Sequence, residues 1–381
     1  MQIKRKKSKK AIFAGNVYKM TLKHLFLACG AALLINACAA PDSGKLHILV
    51  GTYTEGTESQ GVYLYSFDPA TLACELLDTA KAGNPSFIIT SPDRTHAYAV
   101  NEFSDERSGV SSFYLSDDSI DLHNRRHGTG ADPCNILLAK GNLFTSDYSG
   151  GSLSVFPLKE NGGIDYKTDG FKPKFEDEVT SHIHCTALSP DGRYIFFTNL
   201  GADAIHRATL AGNGKVPTDY VTAFRFTDGS HPGPRHMTFS ADGRFAYLIS
   251  ELGDCLSTFS YDDGELQHIS TELAYDGEGH GAADIHISPD GRFLYTSHRL
   301  EEDGISIFRL DPESGLPERT GYCRTGIHPR NFAITPDGKF LLCACRDSDR
   351  IEIYGINQDD GSLSFTGKAV ELPAPVCVQI Y

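Results

Sequence analysis

The sequence predicts an all-β fold: a seven-bladed β-propeller with four antiparallel strands per blade, its ring closed by the C-terminal strand pairing with the N-terminal strands. Three observations carry this. A motif recurs, in that PSFIITSPDRTHAYAVNE, RHMTFSADGRFAYLISE, IHISPDGRFLYTSHR and RNFAITPDGKFLLCACR each read as an apolar alternating run, a (Ser/Thr)-(Pro/Ala)-Asp-(Gly/Arg) turn and a second run. Its period is nearly constant: from Pro85 through Pro133, Ile183, Pro234, Ala283 and Pro329 to Pro375 the steps are 48, 50, 51, 49, 46 and 46 residues, a spacing typical of propellers and solenoids. Finally, the chain ends on a single strand, Pro375 to Tyr381, while the three strands that would complete its unit stand at the start.

Residues 1–37 stand apart from the repeat. They hold eight basic residues and no acid, then an apolar run from Leu25 to Ile35. This is the pattern of an export signal, too short to span a bilayer. Ile35-Asn36-Ala37-Cys38 resembles a bacterial lipobox, which makes Cys38 the expected lipidation site; Phe26-Leu27-Ala28-Cys29 is a weaker second candidate, and Met20 would start a leader of ordinary length. The expected organisation is a signal peptide over 1–37, a lipidated linker over 38–45 and the propeller over 46–381. The expected address is that of an exported bacterial lipoprotein, anchored to the membrane and facing the periplasm or cell surface, or the cytoplasm if the leader is not used.

Leu46–Tyr53, Gly61–Phe67 and Cys74–Thr79 read as the three early strands, to be joined by the last one. The first full unit reads Ser86–Thr90, His96–Asn101, Gly109–Tyr114 and a weaker run near Ser119–Asn124. Asp-Gly and Pro-Asp pairs between the first two runs supply the chemistry of tight hairpin turns. Four antiparallel strands make one blade. Pairing the last strand with the first removes the exposed edges.

The formal net charge is −14, and because the leader is basic the body is more acidic still. Such a body repels nucleic acid and anionic membrane, so membrane contact is expected only through the lipid. An anionic ligand would need a local basic cluster. The ten cysteines show no CxxC or zinc spacing. His182 and His184 stand two residues apart without a clear third ligand, so no metal and no cofactor is expected.

In an up-and-down blade the start of the innermost strand and the end of the second lie on one face. Those positions hold Asn84, Asp132, His182, His184, Arg235, His236, Asp284, His286, His328 and Arg330 at the innermost-strand starts and Asn101, Glu102, Asp147, Tyr148, Asn199, Glu251, His298, Arg299 and Arg346 at the second-strand ends. The opposite face carries only Pro-Asp-Gly turns. A ring of convergent polar groups at one tunnel mouth is the expected site; His286 and His280 read as ordinary loop residues.

Several segments, in this order and phase, carry a resemblance: Val50-Gly51-Thr52-Tyr53-Thr54, Asn84-Pro85-Ser86, Tyr148-Ser149-Gly150-Gly151, His184-Cys185, Leu200-Gly201-Ala202-Asp203, Gly233-Pro234-Arg235-His236, Glu251-Leu252, Ala283-Asp284-Ile285-His286, Ser297-His298-Arg299 and His328-Pro329-Arg330. Over residues 46–381 the chain resembles the seven-bladed propeller lactonases, the bacterial 6-phosphogluconolactonases and the fungal carboxy-muconate lactonizing enzyme. The resemblance implies a catalytic set at His184, Arg235, Glu251 and Arg299. It departs from the family at His298, where Asn is usual, and at Ala204, where Arg is common.

The implied activity is hydrolysis of a sugar (aldono) lactone, with a small-molecule lactone as partner. Glu251 or His184 would act as general base, the other assisting the leaving oxygen, and Arg235 would hold the oxyanion. Arg299 and Arg330, with His236 or His328, would bind the substrate and its phosphate. The alternatives are a lactonizing cycloisomerase, a metal-dependent gluconolactonase-type propeller, and a non-catalytic surface binding propeller.

Overall fold

A computed structural model describes residues 44–381 apart from 168, 173–179, 211–219 and 278–279. Cys38, Cys29, Met20 and the signal peptide lie outside the described residues. Seven four-stranded antiparallel sheets follow one another along the chain. We number the blades from the one whose innermost strand is Ile88–Thr90; the innermost strands of blades 2 to 6 are Pro133–Ala139, Ile183–Leu188, Pro234–Phe239, Ala282–Ile287 and Pro329–Ile334. Blade 7 is composite. Its order is Pro375–Ile380, Leu46–Thr52, Gly61–Asp68, Ala73–Lys81, with Val50 opposite Val378 and Ile48 opposite Ile380. The last strand and the first described strand are thereby joined in one sheet, as the sequence predicted.

The recurring turn has a physical cause. In blade 3 the Ser189 hydroxyl donates to Asp191 Oδ1 at 2.6 Å, the same oxygen accepts the Arg193 N–H at 2.9 Å, and the Ser189 oxygen accepts from the Tyr194 N–H at 2.9 Å. Gly192 supplies the positive φ of +66° that such a turn needs. Ser240/Asp242, Ser288/Asp290 and Thr335/Asp337 repeat the arrangement in blades 4 to 6.

Apolar residues pack between blades rather than within one. Seven buried clusters each join two neighbouring sheets, for example Phe293, Tyr295 and Ile305 of blade 5 with Phe332, Leu341 and Cys343 of blade 6. The inner strands are therefore buried on both faces, and second strands such as Phe245–Ser250 are buried almost throughout. The period-2 alternation survives mainly in outer strands, which have one wet face.

Polar latches add to the apolar packing. Asp203, Asp254, Asp303 and Asp349, which stand between the second and third strands of blades 3 to 6, accept the backbone N–H groups of Gly233, Ala282, His328 and Ala374 in the next blade at 3.0, 2.8, 2.8 and 2.8 Å. Gly51 is required by close approach: a Cβ there would lie 2.1 Å from the Pro85 carbonyl oxygen of blade 1. Among the described residues no helix is long and apolar enough to cross a membrane.

Candidate active site at the tunnel mouth

Two rings of side chains meet at one end of the tunnel. The first residue after each second strand forms one: Glu102, Tyr148, Leu200, Glu251, Arg299 and Arg346 in blades 1 to 6, and Tyr53 in blade 7. Within the innermost strands, Cys134, His184, Arg235 and Arg330 each stand at a register shift against the second strand. Such a bulge re-aims one side chain out of the alternation, and here that side chain turns to the mouth. Asp284 lies in the corresponding irregularity of blade 5, between Ala282 and Ile285.

Glu251 is the centre of one cluster. Arg235 donates from Nε to Glu251 Oε2 at 2.8 Å, Arg299 Nη2 lies 3.0 Å from Oε1, and His184 Nε2 lies 3.9 Å from Oε2. Burial pushes the Glu251 carboxyl up, but Arg235, Arg299 and Arg330 outweigh it and hold the group below its usual range. Burial and the same cations push His184 well below its ordinary value, so its imidazole is neutral at pH 7. Arg235 and Arg299 are further fixed by the carbonyls of Ala283 and Gly281. Glu251 keeps 23% side-chain exposure against 2% for Arg235 and 5% for Arg299, so the carboxylate is the part of the cluster that a ligand meets.

A second cluster lies in blades 7, 1 and 6. Glu102 Oε1 accepts from the Tyr53 hydroxyl at 2.9 Å, Oε2 accepts from Ser86, and Arg330 Nη2 lies 3.7 Å from Oε2. The Arg330 guanidinium sits 5.4 Å from the centre of the Tyr53 ring, a cation–π arrangement. Burial pushes the Tyr53 phenol well up, so it stays protonated. Glu102 stands in the same ring position as Glu251, three blades away. Phase places Glu102 and Tyr148 at the mouth in the sequence already; Tyr53, at the same phase in the composite blade, is the residue that reading leaves out.

The remaining expected residues are distributed as follows. His328 Nε2 lies 3.5 Å from Arg299 Nη1 and its Nδ1 3.5 Å from Asp347. His236 lies edge-on to His184 at 5.2 Å between ring centres and is tied through Nδ1 to Asp284 at 2.8 Å. His184, Arg235, Glu251, Arg299, His236, His328 and Arg330 thus form a connected set at one mouth, with Arg330 joined through its field at Glu251.

Three sequence expectations need correction. His182 is not on the strand that carries His184 but precedes it; it stacks on Tyr148 with ring centres 4.5 Å apart, and its Nδ1 is 3.0 Å from the Tyr148 carbonyl oxygen. His286 is not a loop residue: it lies on Ala282–Ile287 with Nε2 2.8 Å from Asp284 Oδ2. Several polar second-strand ends are structural rather than ligand-facing. Asn101 donates to the Gly83 carbonyl at 2.8 Å and Asp147 accepts the Gly130 N–H at 2.9 Å, each pinning a loop. Among the described residues no group of three or more His, Cys, Asp or Glu is arranged to hold a metal ion.

Residues 47–380 match the family described as "Lactonase, 7-bladed beta-propeller". The chain belongs to this lactonase family. It is 33% identical to a 6-phosphogluconolactonase of Formosa agariphila over 87% of this chain and 96% of that protein. A putative 6-phosphogluconolactonase from Bacteroides uniformis superposes with a TM-score of 0.83 at 42% identity, covering 88% of this chain and 99% of that one. The periplasmic gluconolactonase of Pseudomonas aeruginosa does so at 0.80 and 30% identity, covering 88% and 99%. As a lactonase the protein is an enzyme, a hydrolase of the carboxylic ester type.

Proposed function

We propose that this mouth hydrolyses the ring ester of a six-membered sugar (aldono) lactone, in the manner of a 6-phosphogluconolactonase. The observation that carries the reading is the Glu251 carboxylate held between Arg235 and Arg299, 3.9 Å from a neutral His184. Glu251 takes a proton from water as the water oxygen bonds to the lactone carbonyl carbon. The negative charge leaves the carboxylate and reappears on the carbonyl oxygen, inside the same field of Arg235 and Arg299. Preorganised charge of this kind is usually the largest catalytic contribution. The bond to the ring oxygen then breaks and that oxygen takes up the proton Glu251 had accepted from water, with neutral His184 assisting through a hydrogen bond, which restores the carboxylate. Arg299 and Arg330, with His236 or His328, would receive an anionic substituent such as a phosphate.

The test is a panel of aldonolactones with and without a 6-phosphate, assayed with the intact protein and with Glu251→Gln and Arg235→Ala. Ring opening by the intact protein and losses of about 10²–10⁴-fold in kcat for Glu251→Gln are expected. Normal rates in both variants would exclude this site.

We also infer that the protein is exported and lipidated at Cys38. The basic-apolar leader supports this, as does the likeness to a periplasmic gluconolactonase. Loss of membrane association and of radiolabelled palmitate incorporation in Cys38→Ala is the expected result.

A further inference from the structure

His236 lies at the tunnel axis. It belongs to blade 4, yet its ring is edge-on to His184 of blade 3 at 5.2 Å and to Phe87 of blade 1 at 6.0 Å between centres, and its Nδ1 reaches Asp284 Oδ1 of blade 5 at 2.8 Å. Blades 1 and 4 are three places apart around the ring, so their side chains meet only at the centre. The imidazole therefore forms part of the floor below the Glu251 cluster.

Asp284 decides what that imidazole can do. Its Oδ2 accepts from His286 Nε2 at 2.8 Å, Asn331 Nδ2 at 2.5 Å and the Phe332 N–H at 3.3 Å. Burial pushes its carboxyl up, but His286 and His236 outweigh this and keep it ionised. A carboxylate only accepts hydrogen bonds, so the proton on His236 sits on Nδ1. Burial and Arg235 hold the ring neutral at pH 7, its pKa pushed down to about 4. Nε2 is then a bare lone pair. It is buried and meets no hydrogen-bond partner among the described residues, in a side chain that keeps 8% exposure.

We propose that His236 Nε2 reads a hydroxyl group of the substrate, with Asp284 as the positioning residue that makes it an acceptor. Neither a dianionic phosphate nor a lactone carbonyl carries a proton to donate, whereas an alcohol does. A buried acceptor left unpaired weakens binding of an analogue that lacks the hydroxyl by about 10- to 100-fold. The site thereby selects polyhydroxylated lactones over unsubstituted ones. This rests on the reading that the mouth takes a lactone, but it concerns binding and not turnover.

The experiment uses non-hydrolysable lactams. Calorimetry would give Kd for D-glucono-δ-lactam and for unsubstituted δ-valerolactam, with the intact protein, His236→Leu, His236→Gln and Asp284→Asn. His236→Leu is expected to weaken gluconolactam tenfold or more and to leave valerolactam within threefold. Asp284→Asn, whose amide can donate to Nδ1 and move the proton to Nε2, should show the same selective loss. His236→Gln, which keeps an acceptor oxygen, should retain part of the preference and stands in if the leucine variant does not fold. Equal losses for both lactams, no preference in the intact protein, or no binding of either would overturn the proposal. Selective binding without hydrolysis of any lactone would uphold it and sink the hydrolytic reading instead.

Discussion

Arg235 is the largest of the fully buried side chains among the described residues, and its Nε donates to Glu251 Oε2 at 2.8 Å. A buried guanidinium reaching a part-exposed carboxylate sets up a field that stays in place when the carboxylate is neutralised. Arg235→Ala removes one of the two cations on Glu251 and empties a large buried volume. Breaking such a pair typically costs about 3–5 kcal/mol, so a lower melting temperature and loss of lactone hydrolysis are expected together. Arg235→Lys should not restore activity, because an ammonium cannot hold Glu251 and the Ala283 carbonyl in the same plane. Glu251→Gln should lower kcat and also lower the melting temperature, because it leaves the buried Arg235 and Arg299 without their carboxylate.

The Glu251 shift fixes the sign of one pH dependence. Its folded-state pKa lies below the unfolded value of about 4.3. The stability and ionisation it contributes are present above that value and are lost as pH falls through the lower, folded one. The acid limb of kcat/KM should therefore lie below about pH 4.3, and rates measured from pH 3 to 8 check this. A limb between pH 6 and 7 would point to a different base.

The buried imidazoles predict a separate effect on stability. His184, His298 and His328 are held below their ordinary value chiefly by burial, and His206 and His236 are pushed down to about 4. The unfolded chain binds more protons than the folded one once pH drops below about 6.5, so stability falls as pH falls through that region. Thermal melts from pH 7.5 to 5 should show a declining midpoint. His206→Gln should flatten the decline in part.

Glu102 partly neutralises Arg330 across 3.7 Å. In Glu102→Gln that cation is released toward the mouth. The KM for a 6-phosphorylated lactone should fall relative to the unphosphorylated one, by roughly tenfold, and steady-state kinetics on the two substrates reads the ratio.

Asp349 accepts the Ala374 N–H at 2.8 Å just before the closing strand. Asp349→Ala leaves a backbone donor without its partner and should cost about 1–3 kcal/mol. Denaturant unfolding would measure the loss, and kcat should remain within a few-fold of the intact protein.

The donor set predicts that chelation is without effect. His182 is turned onto Tyr148 and His286 onto Asp284, so neither joins His184 as a ligand. Prolonged incubation with EDTA should leave the rate unchanged.

The repeat, the closing strand and the face that carries the polar residues were legible in the chain, because blade length and turn chemistry are local properties. Pro375 to Tyr381 could be assigned to blade 7 by counting strands alone. Of the pairings at the mouth, those of Glu251 with Arg235 and Arg299 could be anticipated through the catalytic set the resemblance implies, and those of Glu102 could not. Glu102 and Glu251 occupy the same ring position, yet one meets Tyr53, Ser86 and Arg330 and the other Arg235 and Arg299. His236 likewise reads as a donor to phosphate in the chain, and becomes an acceptor only because Asp284, a blade away, takes its proton-bearing nitrogen. The number of blades follows from a periodic pattern of turns and apolar runs. The charge and proton position of each mouth residue follow from neighbours that ring closure brings within 4 Å, and those neighbours are distant in sequence.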